Sequence, residues 1–208
     1  MNTNHKIQTI FKRDPLTKFK TLLFGEYSLL EFEYLKDNVW IWDEKIDGTN
    51  IRMKYFDQKL SFAGKTDKAE FYGNFESVLK DEFLPLQSGF FDIFGTADIC
   101  MYGEGYGKGI QKGGLYRDDT GFILFDIRIG DWWLKRDDVA SIALKLGIET
   151  VPIIGEGTLS QAIEITRKGF NSQWGDFLAE GMVLRPKVEL KSRNGSRIIT
   201  KIKTKDFQ

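Results

Sequence analysis

Residues 44–50 read EKIDGTN, and they hold the residue types most capable of chemistry in this chain. Lys45 is followed two residues on by Asp47 and then by Gly48, whose missing Cβ lets backbone come close to a ligand. A lysine amine becomes a covalent nucleophile when burial or a neighbouring positive charge lowers its pKa, because only the neutral amine attacks. The alternative is a structural DG turn beside a solvated lysine. Lys45 and Asp47 would share one face if the strand before them reached Asp47.

Other candidates follow at a distance. Tyr102–Gly114 contains six glycines in thirteen residues and carries Glu104, whose alternative is a charged group in a surface loop. KGIQKGG lacks the Gly-Lys-Ser/Thr ending of a phosphate-binding P-loop. FILFDI supplies Phe122 and Asp126, AEGMVLRP supplies Glu180, and KIKTKDF places Lys201 and Lys203 on one face of a strand. The alternatives are a buried strand, a turn glutamate and a basic edge strand that resists aggregation.

The 208 residues carry 30 basic and 30 acidic side chains, yet Arg185–Lys205 holds eight basic residues against the single Glu189, a balance of +7 suited to a polyanion. Arg185 and Lys187 are candidates for phosphate or polynucleotide contact. One cysteine and one histidine, Cys100 and His5, leave no material for an intrachain disulfide or a Cys/His zinc site. A reducing, cytoplasmic setting is expected. No apolar run approaches a membrane span and the first residues lack a signal-peptide core.

The elements that must position these residues are read from periodicity. VWIWDEKI and IRMKYF suggest a hairpin around DGTN, with a second turn near Asp57 leading into LSFAG. Phe71, Phe75, Val78, Leu79 and Phe83 predict a helix over 68–83. GFFDIFG and GFILFDIRI read as strands, and the glycine-rich stretch between them as no ordinary core element. Asp137 is expected to cap a helix over 138–146 that stops at Gly147, and Thr158 with Gln161 to box a helix over 159–168. Residues 179–190 and 196–204 read as strands around KSRNGS. The sum is an α+β domain of antiparallel sheets flanked by helices.

These motifs, in this order over about residues 42–207, resemble the covalent lysine nucleotidyltransferases: ATP-dependent DNA ligases, RNA ligases and mRNA capping enzymes. KIDGTN matches the first motif at Lys45, Asp47, Gly48 and Asn50. The resemblance implies a nucleotidyltransferase fold (the ATP-grasp-like DNA/RNA ligase adenylation fold), with Lys45 attacking the α-phosphate of ATP to give Lys-AMP. It further implies that Glu104 contacts ribose, Phe122 stacks on adenine, Glu180 serves metal and nucleotide, and Lys201 and Lys203 serve the α-phosphate and leaving group. Glu44 is expected to help read adenine through nearby backbone or side-chain contacts, and Lys65 to meet a 5′-phosphate where relatives often use arginine. ATP with Mg²⁺, or Mn²⁺ in its place, is the implied cofactor set. The local sequence favours an RNA ligase joining a 5′-phosphate to a 3′-hydroxyl. A DNA nick-sealing enzyme and a binding module without turnover are the alternatives. A single adenylation domain over 1–208 is expected, monomeric and without a membrane partner; the chain ends just after the last motif, where relatives continue into an OB or helical domain.

Overall fold

Residues 7–208 are described by a computed structural model; His5 lies outside the described residues. In chain order the strands are β1 (Gln8–Thr9), β2 (Phe11–Arg13), β3 (Leu22–Tyr27), β4 (Trp40–Glu44), β5 (Thr49–Phe56), β6 (Lys59–Ala63), β7 (Ile99–Gly107), β8 (Thr120–Ile129), β9 (Trp132–Trp133), β10 (Ile153–Gly157), β11 (Gly181–Pro186) and β12 (Thr200–Lys203). The α-helices are α1 (Leu30–Tyr34), α2 (Phe75–Phe83), α3 (Gln87–Phe94), α4 (Arg136–Leu146) and α5 (Leu159–Lys168). The chain divides into two compact units, one of residues 46–151 and one of residues 7–45 with 152–208.

The first unit is built on a sheet of order β6-β5-β7-β8-β9, antiparallel throughout. One face carries Ile51, Met53, Tyr55, Met101, Phe122 and Leu124 and is covered by Leu79 and Phe83 of α2, Phe90 of α3 and Val139 and Ala143 of α4. In the second unit the sheet order is β1-β12-β11-β4-β10, with β2-β3 as a separate hairpin. Trp40, Trp42, Met182, Leu184 and Ile202 pack there against Leu159, Ala162 and Ile163 of α5. The pairs of this sheet are antiparallel except the two-residue β1–β12 pair, which is parallel, and the expected α+β architecture of antiparallel sheets flanked by helices holds. No described helix is long and apolar enough to cross a membrane.

Several local readings change. VWIWDEKI and IRMKYF form no hairpin: β4 pairs with β10 and β11, and β5 with β6 and β7. The hairpin forms one strand later, where Asp57 and Gln58 both take positive φ (48° and 60°) between the paired Phe56 and Lys59, the backbone of a type I′ turn. GFFDIFG belongs to helix α3, because its apolar residues meet the core at helical spacing, as Phe90 and Phe94 do at 6.0 Å. A short apolar run does not distinguish the two periods. The glycine-rich stretch opens as the buried strand β7, whose glycines leave room for aromatic rings from its neighbours.

Helix α2 starts only at Phe75, after Gly73 at φ 51°. Helix α4 begins at Arg136 with Lys135 at its cap, so Asp137 lies in the first turn, favourable to the helix dipole without capping. Gly147 ends it at φ 68°, as expected. Helix α5 has the expected boundaries and a complete capping box: Gln161 N–H donates to Thr158 Oγ1 at 3.2 Å, and Thr158 N–H to Gln161 Oε1 at 2.9 Å. The last two strands are shorter than expected and pair antiparallel.

Candidate active site

Within the second unit, β4 sits between β10 and β11 and ends at Glu44, so the strand stops short of Asp47. Just beyond its end, Lys45 N–H donates to Gly181 C=O at 2.9 Å, and on the other side of Glu180 the Thr204 N–H donates to the Glu180 carbonyl at 2.9 Å. Thr204 Oγ1 adds a hydrogen bond to Ala179 C=O at 2.8 Å. The backbone around Glu180 is thus fixed by the ends of β4 and β12. Gly181 is required by space: a Cβ there would lie 2.1 Å from the Ile202 carbonyl oxygen.

This frame brings three charged groups together. Lys45 Nζ donates to Glu180 Oε2 at 2.6 Å and Lys203 Nζ to Glu180 Oε1 at 2.6 Å, with side chains only 13–20% exposed. Burial alone would raise the Glu180 pKa, but the charges and hydrogen bonds of Lys45 and Lys203 outweigh it and hold the carboxyl below its ordinary value. Lys201 pairs with Val183, which in turn pairs with Asp43. Lys201 therefore lies on the same face of the sheet as Asp43, half-buried and one pleat from Lys203.

Arg185 and the Glu44 side chain sit differently from expectation. Arg185 is not available to a polynucleotide: its Nη2 lies 2.8 Å from Asp43 Oδ2 and both side chains are buried. Lys187 is exposed and pairs with Glu156 at 2.9 Å. Glu44 pairs in register with Met182 and turns into the interior, 1% exposed. Its Oε1 accepts from the Ser172 hydroxyl at 2.6 Å and its Oε2 from Gln173 N–H at 2.9 Å. Burial pushes its pKa up, against the lowering effect of those two bonds. The Glu44 side chain fixes the segment leading to Glu180 and does not present itself to a base.

The first unit holds the remaining candidates. Asn50 and Glu104 face each other in the β5-β7 register, and Asn50 Nδ2 donates to Glu104 Oε2 at 2.8 Å. Gly48 lies against this pair: a Cβ on it would come within 2.2 Å of the Gly105 carbonyl oxygen and 2.8 Å of Glu104 Cγ. Asp47 N–H donates to the Tyr116 hydroxyl at 3.3 Å. Lys65 is exposed in the loop after β6. That loop is held by Arg52, buried at 1%, which donates from Nε to Gly64 C=O at 2.9 Å and from Nη2 to Asp67 at 2.9 Å.

Phe122 is placed differently from the stacking role. It pairs with Gly105, and Cβ atoms at Gly103 and Gly105 would strike the Phe122 and Phe75 rings respectively. The Phe122 ring thus lies on the core face, 3% exposed and edge-on to Phe83 at 5.6 Å. Ile123, paired with Glu104, occupies the other face. Asp126 is buried and pairs with Tyr102. Sequence reasoning missed Arg52, Tyr116, Ser172 and Thr204. For Arg52 a signal existed, since Asn50, Arg52 and Lys54 alternate along one face of β5; Ser172 has none, because its partner Glu44 is distant in sequence.

The family model for RNA ligase matches residues 38–203. Among solved structures, an RNA ligase of Naegleria gruberi is similar in several forms. An apo variant superposes with a TM-score of 0.67 at 18% identity, covering 86% of this chain and 53% of that one. A variant with ATP and Mn superposes with a TM-score of 0.71 at 15% identity, covering 100% and 57%. Another with AMP and Mn gives 0.67 at 16% identity, covering 100% and 61%. The chain thus spans little more than half the length of these proteins. Comparison with curated proteins gives no match. With the family matched from just before the Lys45 strand through Lys203, the chain belongs to the RNA ligase family.

Proposed function

We propose that the chain is the adenylation domain of an ATP-dependent RNA ligase. The observation that carries this reading is the Lys45–Glu180–Lys203 constellation, a half-buried nucleophile candidate and a second cation on the two oxygens of one carboxylate. Lys45 Nζ attacks the α-phosphorus of ATP, forming the P–N bond while the bond to the bridging oxygen of pyrophosphate breaks. The amine must shed a proton, and Glu180 Oε2 at 2.6 Å is an acceptor within reach. Lys203 and Lys201 supply positive charge to the transferring and departing phosphates. In the second step the 5′-phosphate of an RNA strand displaces Lys45 from AMP. In the third a 3′-hydroxyl attacks the phosphorus of the strand's own 5′-phosphate, forming the phosphodiester while the bond to AMP breaks and AMP leaves.

The donors fit a metal that arrives with the nucleotide. Among the described residues no group of three or more His, Cys, Asp or Glu could hold an ion unaided, whereas Mg²⁺ or Mn²⁺ bound through phosphates needs only one or two carboxylates. Glu180 is the candidate ligand, and releasing an ammonium would free one of its oxygens. When bound, the ion neutralises phosphate charge.

Intact mass after incubation with ATP and Mg²⁺ tests the reading. Wild type should gain one AMP and Lys45→Ala none; an adduct that persists in Lys45→Ala, or none in folded wild type, would overturn it. Preadenylated RNA and DNA nicks compared side by side then test the choice of RNA.

A further inference from the structure

The β2–β3 connection is a built loop that displays an aromatic ring. Asp14 Oδ1 accepts from Leu16 N–H at 2.8 Å, Phe19 N–H donates to Asp14 C=O at 2.9 Å, and Thr17 and Thr21 hydroxyls lie 2.9 Å apart. Arg13, itself paired with Asp206 at 3.0 Å, donates to the carbonyls of Phe19 and Lys20 at 3.4 and 3.0 Å. Despite this organisation the loop buries none of its large apolar side chains: Leu16 is 94% exposed and Phe19 61%.

Two consecutive non-glycine residues, Lys18 and Phe19, also stand in the left-handed region at φ 54° and 61°, a conformation bulky side chains rarely adopt. Nothing in the packing of the loop requires phenylalanine there, and asparagine or glycine would suit the backbone better. The ring is flanked by Lys18 and Lys20, both exposed. An exposed aromatic between two cations is the pattern that binds a nucleic-acid strand, the ring stacking on a base while the ammoniums meet phosphates. Asp14, whose carbonyl holds the Phe19 amide at 2.9 Å, lies five residues after Thr9, the partner of Lys201, and five residues of chain reach at most about 18 Å.

We propose that Lys18, Phe19 and Lys20 form an RNA-binding subsite that stacks an unpaired base of the substrate strand on Phe19. The assignment of RNA rests on the ligase reading; the loop geometry does not.

The test uses the full chain and a fluorescent single-stranded 5′-phosphorylated RNA, followed by anisotropy across a salt series, with Lys-AMP formation measured by intact mass in parallel. Phe19→Asn keeps a residue suited to the left-handed backbone while removing the ring, and Phe19→Tyr keeps the ring. Phe19→Asn should weaken RNA binding about tenfold, within the range of one lost base stack, and Phe19→Tyr should restore it. Lys18→Ala with Lys20→Ala should flatten the slope of log affinity against log salt by about 1.4, at roughly 0.7 per single-strand phosphate contact. Lys-AMP formation should be unchanged in all of them. Wild-type affinity and slope in both the ring and the lysine variants would overturn the subsite, as would a wild-type protein that adenylates Lys45 but binds no RNA. RNA binding that depends on Phe19 in a protein forming no Lys-AMP would leave the subsite standing and remove the ligase reading.

Discussion

Lys45 and Glu180 are locked together through the backbone as well as the side chains: the Lys45 amide donates to Gly181 at 2.9 Å while its ammonium reaches Glu180 Oε2 at 2.6 Å. The register of β4 on β11 therefore sets the position of the carboxylate. Glu180→Gln should slow Lys-AMP formation by about 100-fold or more, the range of a lost proton acceptor, measured as single-turnover adduct growth.

The same carboxylate gives stability a pH dependence of known sign. Its folded pKa lies below its ordinary 4.5, so its contribution is complete above the unfolded value and is lost as pH falls through the lower folded value. The stability difference between wild type and Glu180→Gln, from urea unfolding at a series of pH values, should shrink as pH is lowered below about 4.5. A difference that grows there would contradict the pairing with Lys45 and Lys203.

Gly181→Ala tests the frame rather than the charges. Its Cβ would meet the Ile202 carbonyl at 2.1 Å, and relief requires moving β11, which Glu180 immediately precedes, against β12, which ends in Lys203. A destabilisation of about 1–3 kcal/mol is expected from such overpacking. Lys-AMP formation should fall under conditions where the protein remains folded by circular dichroism.

Phe122 separates two roles by their readouts. On the core face it packs against Phe83 and over Gly103, so Phe122→Ala should cost about 3–5 kcal/mol, while the milder Phe122→Leu should leave the KM for ATP within about twofold. A large rise in KM for Phe122→Leu at unchanged stability would return the ring to the nucleotide.

How far the sequence could be read follows from which contacts are local. The capping box of α5, the stop at Gly147 and the antiparallel pairing of the last two strands rest on residues near in sequence, and each was legible. The partner choice of β4 was not: VWIWDEKI and IRMKYF are neighbours with compatible patterns, and only the distant β10 and β11 decide against the hairpin. The glycines of β7 misled because their reason is external, the rings of Phe75 and Phe122 across the sheet face. In the site, motif order assigned Lys45, Glu180 and Lys203 to one nucleotide, but the contacts among them, and the hydrogen bond between Asn50 and Glu104, join residues far apart in sequence and come only from the fold. Motif order did not foretell the faces of Glu44 and Phe122, since one step along a strand reverses a side chain.

Glu44 supplies the complementary pH signature. It lies one residue before Lys45 yet turns inward, with Ser172 Oγ and Gln173 N–H on its two oxygens. Glu44→Ala strands both donors and should cost about 1–3 kcal/mol. Because the segment it anchors runs to Glu180, Lys-AMP formation should also slow, with partial rescue by Glu44→Gln, which restores one acceptor oxygen. The folded pKa of Glu44 is raised above 4.5, so the native state holds the proton longer than the unfolded chain. Stability relative to Glu44→Gln should therefore fall as pH rises from 4.5 toward the folded value, opposite in sign to Glu180. Urea unfolding of Glu180→Gln and Glu44→Gln over the same pH series reads both at once. If both differences rose with pH, the inward burial of Glu44 would be wrong and its carboxyl would belong with the exposed acids.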